Sequence, residues 1–155
     1  MDDAGFMDMA LRESEEALAR GDRPVGAVIV RDGIVLCAGQ NRTASAGDVL
    51  IHAENDAIQR GTKLHGAQAL IGTTLYCTME PCPMCAWAMH LAGIRRLVLG
   101  LRHAALKRTD MGTYSVERFV EMTGCSYELS TGVREAECLA LRQRWGKDQT
   151  GRPRG

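Results

Sequence analysis

The chain has 155 residues, 45% of them hydrophobic, and its 19 Lys and Arg balance its 19 Asp and Glu to a formal net charge of zero. That length suits one compact domain, residues 1–155, with a sizeable core. Charge neutrality weighs against a partner held by many phosphate contacts, which usually demands a basic surplus, so nucleic acid is an unlikely partner on this count; only Lys147 to Arg154 leans basic. No apolar run approaches the roughly 18 residues of a spanning helix, so a membrane is not expected as a partner. The start, Met1-Asp2-Asp3, lacks the basic and apolar regions of a secretory signal, which predicts a cytoplasmic protein. Six cysteines are then expected as reduced thiols, with Cys37, Cys77, Cys125 and Cys138 as small buried hydrophobes.

In chain order, residues 5–19 carry Phe6, Met9, Ala10, Ala17 and Leu18 at helical spacing, stopped by Gly21 to Pro24. Val25 to Val30 reads as a strand, Arg31-Asp32-Gly33 as a hairpin turn and Ile34 to Gly39 as the returning strand. A polar loop from Asn41 to Asp48 precedes a helix from about Leu50 to Arg60, closed by Gly61. Thr73 to Thr78 is a strand. Pro83 to Ala92 is a helix with its proline in the first turn. Arg96 to Leu101 is a strand, Ser115 to Met122 a helix, Tyr127 to Leu129 a short strand, and Arg134 to about Trp145 the last helix. The alternation predicts an α/β fold with helices on both faces of one sheet. The long helical connection over 102–126 suits a parallel last pair of strands.

Two clusters carry chemistry: His52-Ala53-Glu54 and Pro81-Cys82-Pro83-Met84-Cys85. Two cysteines three apart at a helix start place both sulfurs on one turn, where the helix dipole lowers thiolate pKa values. Alone, that pair fits a redox couple or half of a structural zinc site. His52, also at a helix start, supplies a third ligand and no fourth is apparent. Three protein ligands leave a position for water, whose pKa a bound zinc ion lowers toward neutrality. Glu54, two residues on, is placed to carry that water's proton to a ring nitrogen. A capping histidine and a first-turn acid would explain His52 and Glu54 singly but not the joint pattern. His-x-Glu followed by Pro-Cys-x-x-Cys is the pattern of zinc-dependent nucleobase deaminases.

On these residues, with Pro24-Val25-Gly26-Ala27, Asn41-Arg42 and Thr74-Leu75-Tyr76, the chain resembles the cytidine deaminase superfamily over nearly its whole length. The parallel last strands suit the branch of cytosine deaminase, guanine deaminase and tRNA adenosine deaminase. The resemblance implies a three-layer α/β/α fold around a five-stranded mixed sheet, and a homodimer. It implies Zn2+ on His52, Cys82 and Cys85, with Glu54 as the catalytic acid and base. It also implies substrate contacts from Asn41 and from the backbone of Ala53 and Cys82. Asn41 reads equally as a turn residue after its strand.

The substrate is harder to read. The segment from Thr131 to Ala140 resembles the tail of the tRNA enzymes, whereas the neutral charge and the stretch from Arg102 to Tyr114, which lacks their Gly-Ala-rich motif, point away from tRNA. Trp145-x-x-Asp148 is similar to the aromatic and acid that close the pocket in free-base cytosine deaminases; it also reads as a helix-terminal Trp followed by a surface Asp. His103 faces either the pocket or solvent. A small nucleobase or nucleoside is therefore the expected partner, cytosine-type ahead of guanine-type, with a tRNA adenosine-34 deaminase as the alternative.

Overall fold

The computed structural model describes residues 1–146. Its sheet is built outward from β1 (Gly26–Arg31), which pairs antiparallel with β2 (Ile34–Gln40) on one side and with β3 (Thr74–Met79) on the other. β4 (Arg96–Leu101) joins β3 in parallel, and β5 (Glu128–Ser130) joins β4 in parallel, giving the order β2-β1-β3-β4-β5. The expected mixed five-stranded sheet with a parallel last pair is thus present.

Side chains alternate across a strand, and the core divides accordingly. Val28, Val30, Tyr76 and Val98 meet Phe6, Met7 and Ala10 of α1 (Asp3–Arg20). Ala27, Ile29, Leu75, Cys77, Leu97 and Leu99 join Ala53 and Ala57 of α2 (Ala53–His65) and Met89 of α3 (Pro83–Leu91). Each large aliphatic side chain fully buried there contributes about 1.5–3 kcal/mol. α4 (Val116–Thr123) lies beside α3, and α5 (Glu135–Arg144) lies over β4 next to α1. Cys37, Cys77, Cys125 and Cys138 are all buried free thiols, as expected. No helix among the described residues is long and apolar enough to cross a membrane.

α2 departs from the sequence reading. It starts at Ala53 rather than Leu50, and it runs through Gly61 to His65. Gly61 is a packing residue, not a stop: a Cβ there would lie 2.7 Å from Cys37 Sγ and 2.9 Å from Leu70 Cδ2. Gly39 serves α2 in the same way, since a Cβ on it would overlap the Ala53 carbonyl oxygen and the Ala57 amide nitrogen. The helix therefore lies directly on the backbone of β2.

The loop before α2 is pinned by Asp22, which is wholly buried. Its carboxylate accepts from the Ala44 and Ser45 amides at 3.0 and 2.8 Å, from Ser45 Oγ at 2.6 Å and from Arg20 Nε at 2.7 Å. Burial pushes this carboxyl up, but the bonds from Ser45 and Arg20 outweigh it and hold the group below the usual carboxylate range.

Candidate active site

Because β3 and β4 run parallel, their carboxyl ends open side by side, and open α/β sheets bind ligands at such ends. The Glu80 amide donates to the Leu101 carbonyl at 2.8 Å, so Glu80-Pro81-Cys82 runs beside Arg102-His103. Cys82 caps the N-terminus of α3 and His52 caps that of α2. Both cap carbonyls accept the first helical bond, from Ala86 and Asp56, each at 2.9 Å. Two positive helix ends therefore converge on one point.

There His52 Nδ1 lies 3.5 Å from Cys82 Sγ and 3.6 Å from Cys85 Sγ. One donor atom from each of the three residues falls within 4.8 Å of the others, and this is the one metal-binding group of His, Cys, Asp and Glu found among the described residues. One imidazole and two sulfurs on this spacing fit a zinc ion with an open fourth position. The electrostatics suit a cation. A hydrogen bond from Cys85, with help from His52, holds the Cys82 thiol down at about 4, against the effect of burial. Cys85 is raised correspondingly. The bond to Cys82 raises His52 against the effect of burial.

Glu54 stands outside that ligand group while lining the same cavity. It is 3% exposed, and burial, with the Cys82 thiolate adding to it, raises its carboxyl. The cavity encloses about 50 Å3 and is lined by Asn41, His52, Ala53, Glu54, Glu80, Cys82 and His103, with Arg23, Arg108 and Arg142 added. Asn41 is buried, and its Oδ1 accepts from the Thr43 amide at 3.2 Å and Thr43 Oγ1 at 3.0 Å. The turn role and the cavity position are therefore compatible: the side-chain oxygen closes the turn, and the amide NH2 makes no hydrogen bond among the described residues.

Of the remaining sequence candidates, His103 is 6% exposed and lines the cavity, not solvent. Burial lowers its pKa, with Glu80 opposing. Trp145 does not line the cavity but stacks on two residues that do, with Arg142 5.1 Å and Arg23 5.8 Å from its ring centroid. Asp148 lies outside the described residues.

Sequence reasoning missed the three arginines, which come from separate segments and form no local motif. It also gave Glu80 no role. That carboxylate is buried and accepts from Arg102 Nε at 2.9 Å and from the His103 and Val116 amides, both at 3.0 Å. It thereby ties the segment after β4 to the start of α4. An acid directly ahead of Pro-Cys, at the end of an apolar strand, was the available signal.

The profile of the cytidine and deoxycytidylate deaminase zinc-binding region matches residues 1–101. A tRNA-specific adenosine deaminase of Agrobacterium fabrum is 34% identical over 146 residues, 93% of each chain. That of Streptococcus pyogenes serotype M18 is 39% identical over 138 residues, 89% of this chain and 86% of its own. A structure solved in studies of A-to-I editing by tRNA:A34 deaminases at the wobble position of transfer RNA is 37% identical, with a TM-score of 0.77 over 88% of this chain and 98% of its own.

These relatives overturn two expectations. A cytosine-type small molecule does not lead, and nucleic acid is not an unlikely partner, because relatives alike over nearly the full length act on tRNA. Net charge sums the whole surface and does not report the charge at one site, where Arg23, Arg108 and Arg142 line the cavity alongside Glu54 and Glu80. With its metal-binding triad set between two helix ends and an unligated carboxylate beside it, this chain is a deaminase belonging to the cytidine and deoxycytidylate deaminase zinc-binding family.

Proposed function

We propose that the chain deaminates adenosine at position 34 of tRNA to inosine. The observation that carries this reading is likeness at 34–39% identity across about nine-tenths of the chain to enzymes named for that substrate. The arginine-ringed cavity supports it. Arg23, which is part-exposed at the cavity, is placed to meet an anionic backbone that remains outside.

When bound, zinc supplies a Lewis acid that brings the ionisation of water near neutral pH. Glu54 accepts the proton that the attacking water loses and delivers it to N1 of the ring. The water oxygen adds to C6, Glu54 relays the remaining proton of the added hydroxyl to the exocyclic amine, and ammonia leaves as the C6 carbonyl forms. Asn41 offers its amide NH2 to the nucleoside, and the backbone at Ala53 and Cys82 borders the reacting carbon. Trp145 packs by cation–π contact on Arg23 and on the buried Arg142, both of which line the cavity. The reading includes a cytoplasmic homodimer, with the groove lined by Ile58, Ile71 and Leu91 as the face for the second copy.

Purified zinc-loaded protein is to be incubated separately with an anticodon hairpin bearing A34 and with cytosine, guanine, adenine and their nucleosides. Inosine in the hairpin is the expected product. Turnover confined to a free base or nucleoside would end this reading.

A further inference from the structure

His103 carries an inference that rests on, and deepens, the tRNA adenosine reading. Its Nδ1 lies 3.4 Å from Arg108 Nη1. A guanidinium has donors and no acceptor, so Nδ1 must be the unprotonated nitrogen and the ring proton sits on Nε2. Arg108 is itself fixed by a two-pronged bond to Asp110, Nε at 3.0 Å and Nη2 at 2.6 Å, which leaves Nη1 for the imidazole. The ring is flanked by Tyr114, with centroids 6.0 Å apart, and its own backbone amide is held by Glu80.

This arrangement sets a donor and leaves it unused. Nε2 is buried and has no hydrogen-bond partner among the described residues. The Pro81 carbonyl lies beside the ring and accepts the Tyr114 hydroxyl at 2.6 Å, with a second lone pair left. Buried donors are rarely left unmade unless a water, an ion or a ligand completes them, and this one belongs to a residue lining the cavity with His52, Cys82 and Glu54.

We propose that His103 is a specificity-determining residue whose Nε2–H, fixed as a donor by Arg108, reads an acceptor nitrogen of the purine ring. N1 takes the proton from Glu54, so the nitrogens left to accept are N7 and N3. Arg108 and Asp110 act as positioning residues through the tautomer. This gives the cavity a means of holding a purine by an edge remote from the reacting carbon.

Hairpins carrying 7-deaza-adenosine or 3-deaza-adenosine at the reacting position separate the two acceptors. His103→Ala should lower kcat/KM on the adenosine hairpin by roughly tenfold, as should one of the two analogues with the wild-type protein, and the two losses should not multiply in that pair. Multiplying losses with both analogues would overturn the proposal alone. A wild-type protein inert on the adenosine hairpin would instead overturn the tRNA reading and this role with it. Should His103→Ala fail to fold, His103→Gln, which keeps a side-chain N–H, carries the same cycle and should retain part of the activity. Independently of turnover, 15N NMR of the zinc-loaded protein should show His103 as the Nε2–H tautomer, and Arg108→Met should release it to a mixture. An Nδ1–H or doubly protonated ring in the wild-type protein would contradict the proposal.

Discussion

Replacing Gly39 by Ala places one methyl group where α2 lies on β2. The new Cβ would overlap the Ala53 carbonyl and the Ala57 amide and sit 2.9 Å from Ala57 Cα. Carbon pairs rest at about 3.5–4.0 Å, so the first turns of α2 must retreat by roughly an ångström. Overpacking of this kind costs about 1–3 kcal/mol. For a chain of this length, about 2 kcal/mol lowers Tm by about 5 °C. The retreating turn is the one that begins at His52 and contains Glu54. A misplacement of about 1 Å at reacting groups can lower kcat/KM by about 100-fold. Thermal unfolding followed by circular dichroism, with hairpin deamination measured well below Tm, reads both effects. A Gly39→Ala protein with unchanged Tm and unchanged kcat/KM would refute the claim that the close approach of β2 sets the position of the site.

Cys82→Ser should lose most bound zinc by atomic absorption and should lower Tm, because metal binding is coupled to folding; full retention of metal would remove Cys82 from the ligand set. Asp22 titrates below its unfolded value, so its stabilisation is present above that value and is lost as pH falls through the folded one. Asp22→Asn should therefore be less stable than wild type at pH 7, with the gap in denaturation midpoint closing below about pH 4; a gap that widens on acidification would reverse the assignment. Glu80→Ala leaves Arg102 and the His103 and Val116 amides without their acceptor. It should cost about 3 kcal/mol in urea denaturation, and a loss under about 0.5 kcal/mol would show that the loop is held by other contacts.

Much of the fold was legible because its signals are local. Short continuous apolar runs at the strands, the Asp32-Gly33 turn and the proline at the start of α3 each act within a few residues. The zinc ligands were legible because both halves of the site lie at helix starts with short fixed spacing. What escaped depended on distant contacts. Gly61 looks like a stop until Cys37 and Leu70 are seen to occupy the space above it. The burial of His103 depends on Glu80, Arg108 and Tyr114, which share no motif with it. The arginines at the cavity escaped for a related reason: they come from α5, the segment before β1 and the segment after β4, and share no motif.

The central claim is that Glu54 works as an unligated proton carrier beside a zinc ion held by His52, Cys82 and Cys85. Zinc content and inosine formation, measured on the same Glu54→Ala preparation, address it directly. The account predicts one zinc per chain and no detectable inosine; wild-type turnover, or loss of the metal, would contradict it.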